Sequence, residues 1–294
     1  MKLHKGNAFL AMGTALVALV ASAAGIFSGG GSGTYTITSI RNQPVTIWGK
    51  GLYRHMSAEV APQGIAQDYV TLLIAVPLLI LSFYEARKGD LRWRYILTGT
   101  TGYFLVTYVF YLNMGMYNSL FLAYVFLAGA SFFLFLQLVS SFDVKSLPKH
   151  FKAGTPVKAT GGFLIFNAVC IALLWLGIVL PPLLDGSILP VQLEHYTTLV
   201  VQGFDLAILL PACFAIGVLL MQKKAAGYLW APVYFVFLSL LMTALTAKVV
   251  AMALLQYEVI PVIFIIPTIN MITLICTGAL LKNINDGSTN TKQA

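Results

Sequence analysis

Two stretches decide how this chain is read: Asp68–Leu81, DYVTLLIAVPLLIL, and Gln202–Leu219, QGFDLAILLPACFAIGVL. Each is an apolar run interrupted by one proline, Pro77 or Pro211, and each leads into a basic pair, Arg87-Lys88 or Lys223-Lys224. Each is also preceded by a long apolar stretch, 8–28 or 161–182, and followed by two more. The sequence therefore reads as one four-span unit written twice. The expected spans are 8–28, 69–84, 95–112, 118–140, 161–182, 198–222, 228–250 and 259–281.

Composition agrees with lipid as the solvent. Of 294 residues, 59% are hydrophobic and 10% charged, and the mean hydropathy is +0.84. A water-soluble globule has too little interior for so much apolar surface. A hydrocarbon layer of about 30 Å takes about 20 helical residues, and helices satisfy their own backbone groups within it. The expected fold is an all-α integral membrane protein of about eight transmembrane helices in a tandem, parallel 4+4 repeat. That number becomes seven if the first span is a cleaved signal, for which Ala21-Ser22-Ala23-Ala24 offers a site. A retained helix is favoured because 161–182 supplies its repeat partner. An even number of spans gives both copies the same orientation, so their pseudo-twofold axis runs along the membrane normal.

The formal net charge of +8 is explained by topology. Fourteen of the 18 basic residues, namely Lys2, Lys5, Arg87, Lys88, Arg92, Arg94, Lys145, Lys149, Lys152, Lys158, Lys223, Lys224, Lys282 and Lys292, fall on one side when loops alternate. Arg41, Lys50 and Arg54 fall on the other, and Lys248 lies in a span. This positive-inside pattern predicts a multi-pass protein of the cell membrane with both termini cytoplasmic. It points away from nucleic acid as a partner.

The expected division is a first repeat over 1–140 with an outer loop at 29–67, a cytoplasmic linker at 141–160, a second repeat over 161–282, and a disordered tail at 283–294. In the outer loop, Tyr35–Ile40 and Pro44–Trp48 read as a hairpin around Arg41-Asn42-Gln43. A loop this long suits a lid or a docking surface for a second copy or another protein. In the linker, Pro148, Gly154 and Pro156 are expected to break regular structure, and its lysines to meet anionic headgroups.

At 1.5 Å per residue, Asp68 lies about 28 Å from Arg87, Asp205 about 27 Å from Lys223, Asn113 about 28 Å from Arg94 and Lys248 about 31 Å from Gly227. The rare polar groups thus share one layer near the outer boundary. Tyr117, Asn118, Gln202 and the pair Tyr257-Glu258 flank it. An uncompensated charge in lipid is costly, so Asp205 and Lys248, on consecutive antiparallel spans, are expected to form an ion pair. The candidate ligand-binding set is Asp68, Asn113, Tyr117, Asn118, Gln202, Asp205 and Lys248.

Other chemistry is sparse. Cys170, Cys213 and Cys276 are isolated in spans and read as small packing thiols. His4, His55, His150 and His195 show no metal-ligand spacing, and no nucleotide or cofactor motif occurs. No catalytic residue, metal or cofactor is expected. The leading expectation is a secondary transporter or permease-like protein for a small polar or amphipathic solute with an outward-facing polar pocket. A membrane enzyme acting on a lipid or isoprenoid carrier at the outer leaflet, with Asp68, Asp205 or Glu258 as acid or base, and a non-catalytic scaffold or sensor remain open. Membrane lipids are expected partners in every case.

Overall fold

A computed structural model describes residues 5–187 and 189–285. The basic Lys2 and Lys292 and the tail from 286 onward lie outside them. The chain forms eight long helices: α1 Lys5–Phe27, α2 Val60–Ala86, α3 Leu91–Met114, α4 Phe121–Ser140, α5 Val157–Leu184, α6 Val200–Met221, α7 Ala225–Leu254 and α8 Val262–Lys282. Seven of them, all but α3, are long and apolar enough to cross a membrane. The protein is thus an all-α, multi-pass membrane protein in architecture. The exception has a physical reason: α3 carries buried Thr98, Thr100, Thr101 and Thr107 and the buried tyrosines Tyr95, Tyr103 and Tyr108. It faces protein: Tyr95 and Tyr103 bond to neighbouring helices, and Thr98 and Thr101 bond back to carbonyls of α3 itself.

At the centre, α3 packs against α7, and α2 also packs on α7. Gly99 makes the α3–α7 crossing close: a Cβ there would stand 2.5 Å from Val236 Cβ and 2.6 Å from the Val233 carbonyl. At the basic-turn end the Tyr95 hydroxyl donates to the Tyr228 carbonyl at 2.9 Å. Helix α1 enters through a stripe of small buried residues, Ala11, Ala15, Ala18 and Ser22, and packs on α4 and α2. Helices α5 and α8 lie at the periphery, with Phe166, Leu173, Phe264 and Met271 largely exposed. On a membrane-spanning helix these are lipid-facing side chains.

The two prolines shape α2 and α6 alike. Proline has no N–H, so the carbonyl one turn earlier loses its partner. The chain responds with a π turn just before each proline, at Thr71–Ala75 and at Asp205–Leu209. There the Val76 N–H reaches back to the Thr71 carbonyl and the Leu210 N–H to that of Asp205. In the second helix the Tyr234 hydroxyl also donates to the Leu209 carbonyl at 2.9 Å. The same residue offset then links Gly89 to Lys223, both with positive φ, and the starts of α3 and α7. Such π turns are enriched where a helix serves a functional site.

Several expectations need revision. The outer loop is shorter, because α2 begins at Val60, whose N–H is accepted by Ser57 Oγ at 3.2 Å. The hairpin forms as β1 Tyr35–Thr38 and β2 Pro44–Ile47, antiparallel, with Tyr35 opposite Ile47. The 141–160 segment is folded: Leu147–His150 is a 3₁₀ turn, Phe142, Leu147 and Phe151 are buried, and α5 already begins at Val157. The expectation of disorder from Asn283 fails for its first three residues. Ile284 is buried, bridges Phe151 and accepts from Arg92 Nη2 at 2.7 Å, because an apolar side chain and an unpaired carbonyl both find partners there. Of the thiols, Cys213 is buried and donates to the Leu164 carbonyl, but Cys170 is exposed.

The α3–α7 crossing yields a direct test. Gly99→Ala should lower thermal stability by about 1–3 kcal/mol, the usual cost of overpacking a close contact. Gly129→Ala, where a Cβ meets nothing within 4 Å, should leave it nearly unchanged in the same thermal-unfolding measurement.

Candidate functional site

The site grows from Asp68, 2% exposed, on α2 just before its π turn. Its Oδ2 accepts from the Tyr53 hydroxyl at 2.5 Å and its Oδ1 from the Tyr111 hydroxyl at 3.1 Å. Tyr53 comes from the loop above the bundle and Tyr111 from α3, so one carboxylate ties three segments together. Burial, then the neighbouring Asp68 charge, push the Tyr53 phenol well above its ordinary value. It therefore stays protonated and serves as a donor. Gly25 of α1 completes the wall: a Cβ there would run into the Asp68 carboxylate and stand 3.0 Å from the Tyr53 hydroxyl.

Aromatic rings enclose this carboxylate. Tyr111 meets Tyr124 at 5.3 Å and Tyr53 at 6.5 Å, both edge to face, and Tyr108 stacks on Tyr124 at 5.9 Å. The Tyr124 hydroxyl is buried with no hydrogen-bond partner. One residue before Asp68 and about one turn after it, Gln67 and Thr71 both meet the Tyr103 hydroxyl, at 2.6 Å and 2.9 Å. A polar seam thus runs down the α2–α3 interface.

Asp205 opens the π turn of α6, where Asp68's own turn carries Thr71. The charged groups are therefore not at matching positions of the two kinked helices. The expected Asp205–Lys248 ion pair does not form. Asp205 Oδ2 instead accepts from Trp175 Nε1 of α5 at 2.8 Å. Among the described residues no carboxylate oxygen lies within 4.0 Å of the Nζ of half-buried Lys248. Each carboxylate instead has aromatic donors of its own.

The other expected members divide. Gln202 is half-exposed one turn ahead of Asp205. Asn118 accepts from the Leu120 N–H at 2.9 Å and so caps the start of α4. Asn113 is exposed and donates to the Val109 carbonyl of its own helix, and Tyr117, 77% exposed, rests on Phe121. Both side chains therefore face outward. Glu258 and Tyr257 are exposed. The residues that sequence reasoning missed are Tyr53, Tyr111, Tyr124, Trp175, Gln67 and Tyr103.

Above the bundle, the loop between α1 and α2 covers the Asp68 end and docks on the segment before α6. Ser57 N–H donates to the Tyr196 hydroxyl at 3.2 Å, a His195 ring nitrogen lies 3.2 Å from the His55 carbonyl, and Arg41 reaches the Thr197 carbonyl at 3.5 Å. The His195 contact is to the His55 backbone and does not bring the two imidazoles together. Among the described residues no three His, Cys, Asp or Glu side chains gather where they could hold a metal ion. Beside this latch a cleft of about 510 Å³ opens between Gly25, the 28–33 run, Trp48, Lys50, Tyr53 and Ile65.

The latch has a pH signature. Burial raises the half-buried Glu194 carboxyl above its ordinary 4.5, Ser57 opposing and Glu59 reinforcing the shift. The docked loop therefore favours the neutral acid: this contribution is complete below pH 4.5 and is lost as pH rises through the raised value. Burial lowers His195 below 6.5 against the pull of the His55 carbonyl, so its contribution is complete above 6.5 and lost as pH falls through the lowered value. Glu194→Gln, which keeps the side chain neutral, should slow protease cleavage within residues 29–59 several-fold at pH 7. Near pH 4, where the wild-type acid is itself protonated, that difference should vanish. No family model matches this sequence, and no curated protein or solved structure is detectably similar to it.

Proposed function

We propose that this protein is a permease-like carrier that takes a small polar or amphipathic solute from the outside of the cell membrane into a site between Asp68, Asp205 and Lys248. The observation that carries this reading is the ammonium of Lys248: half-buried in α7, it has no carboxylate oxygen within 4.0 Å among the described residues. Charges inside a membrane protein are paired or face a water-filled cavity. With Asp68 and Asp205 each engaged by donors of its own, this ammonium is left for water or a guest.

On this reading the two four-helix units are copies related by an axis along the membrane normal, with the basic turns and both termini in the cytoplasm. The shared π-turn, proline and turn register of α2 and α6 supports the duplication. Kinked helices with irregular backbone facing a cavity are where carriers place their sites. The unequal charges, Asp68 in one copy and Asp205 with Lys248 in the other, give the two halves different parts in binding. The loop that carries Tyr53 acts as the outer lid.

Proteoliposomes holding the purified full chain, exposed to a mixture of small metabolites and analysed by mass spectrometry, test the proposal. The wild type should accumulate a defined solute, and Lys248→Met and Asp205→Asn should cut that accumulation by at least about tenfold, as expected for loss of a charged contact worth about 1.5–3 kcal/mol. Both variants should remain folded at the assay temperature by thermal unfolding, which separates lost transport from lost structure. Accumulation of nothing, with an altered membrane lipid composition on deletion of the gene, would instead favour an enzyme acting at the outer leaflet.

A further inference from the structure

The oxygens around Asp68 outnumber the hydrogens that an ionised carboxylate leaves them. The Tyr111 hydroxyl oxygen stands within bonding distance of two acceptors, Asp68 Oδ1 at 3.1 Å and the Gly64 carbonyl at 3.2 Å. A phenol has one hydrogen to donate. With Asp68 ionised, that hydrogen serves one oxygen and leaves the other contact without one. A single further hydrogen, on Oδ1, completes the set. Oδ1–H then donates to the Tyr111 oxygen, Tyr111 donates to the Gly64 carbonyl, and Oδ2 still accepts from Tyr53 at 2.5 Å.

Nothing beside Asp68 balances a charge there. The titratable groups around it are Tyr53 of the outer loop, Tyr103, Tyr108 and Tyr111 of α3 and Tyr124 of α4, all phenols. From α1 it meets Gly25, which carries no side chain. Lys248 belongs to α7, on which α2 also packs, and among the described residues no cation lies within 4.0 Å of the carboxylate. Asp68 is 2% exposed, so bulk water does not replace the missing cation. An acid held in this way is neutralised by a proton instead of being paired.

The same contacts allow the proton to move. Gly64 lies inside α2, so its carbonyl keeps a helical N–H when the Tyr111 hydrogen turns away. Tyr53 comes from the loop that docks through Ser57, His55 and Arg41, and lifting of that loop withdraws it from Oδ2. Toward the basic-turn end, the hydroxyls of Thr71, Tyr103 and Thr107 continue the polar seam.

Resting on the carrier reading above, we propose that Asp68 is the proton-coupling site of the carrier, so that one proton enters with the solute. With the loop lifted, water outside delivers a proton to Oδ1, and the Tyr111 hydrogen turns from Oδ1 to the Gly64 carbonyl. The loop then closes Tyr53 onto Oδ2 and traps the acid. Release reverses the hydrogen shift and returns the proton to water on the other side.

Infrared spectroscopy of the purified full chain in lipid nanodiscs tests the acid, with the proton itself as the probe. At pH 7 the wild type should show a carboxylic-acid C=O band that shifts in heavy water and is lost in Asp68→Asn. Tyr53→Phe removes the donor to the C=O oxygen and should move the same band to higher frequency. If Asp68→Asn removes no such band, or Tyr53→Phe leaves it in place, the protonated site is overturned. Proteoliposomes given a mixture of small metabolites, with the membrane potential clamped at zero, test the coupling. An acidic exterior should raise accumulation in the wild type by up to about tenfold for each pH unit imposed, the limit for one proton per solute. Accumulation that follows a sodium gradient instead, or ignores the pH gradient, overturns the coupling and leaves the carrier reading standing. An Asp68 band without accumulation under any gradient removes the carrier reading, and the coupling role with it.

Discussion

The arrangement around Asp68 depends on the cost of holding charge inside a helical bundle built for lipid. Tens of apolar side chains favour insertion, and three ionisable groups at one level oppose it. The bundle tolerates them because each carboxylate has its own neutral donor, Tyr53 and Tyr111 for Asp68 and Trp175 for Asp205. Lys248 forms an ion pair with neither. A closed ion pair would have fixed the helices together. Separate donors hold the carboxylates in place and leave the ammonium uncommitted.

Backbone geometry puts those groups where they are. The prolines of α2 and α6 each demand a π turn, and Asp68 and Asp205 sit at or just before those turns. Local widening rotates the preceding residues relative to the rest of the helix, which brings Asp68 inward beneath the loop and Asp205 toward Trp175. Small residues then allow approach from the other side: Gly25 on α1 leaves the volume that the Asp68 carboxylate fills. Packing of α1 is thus coupled to the site's chemistry, and the loop that follows α1 delivers Tyr53 to the same carboxylate.

Much of this was legible in the sequence, for reasons that can be assigned. Hydropathy revealed the helices, because lipid imposes length and apolarity on every span. The one helix below that threshold, α3, was still readable because its tyrosines and threonines lie between two clear loops. Depth along the helix axis is what singled out Asp68, Asp205 and Lys248. Depth alone misassigned Asn113 and Tyr117, since it does not say which way a residue faces. The aromatic partners escaped because each lies far from its carboxylate in sequence: Tyr53 is in a loop, Trp175 on a peripheral helix, and Tyr111 among rings that read as packing. Long-range pairing of this kind leaves no periodic trace. Likewise Ile284 looked like part of a polar tail, and only the packed linker with Phe151 and Arg92 shows why it is buried.

The claim that Asp68 and Lys248 belong to one electrostatic unit, although they never touch, is tested most directly by a double-mutant cycle. Thermal or denaturant unfolding of Asp68→Asn, Lys248→Met and the double variant in the same detergent gives the coupling. The account predicts that the two effects fail to add, by roughly 0.5–3 kcal/mol, the range for coupled residues. Additivity to within about 0.3 kcal/mol, the behaviour of independent sites, would contradict a shared site.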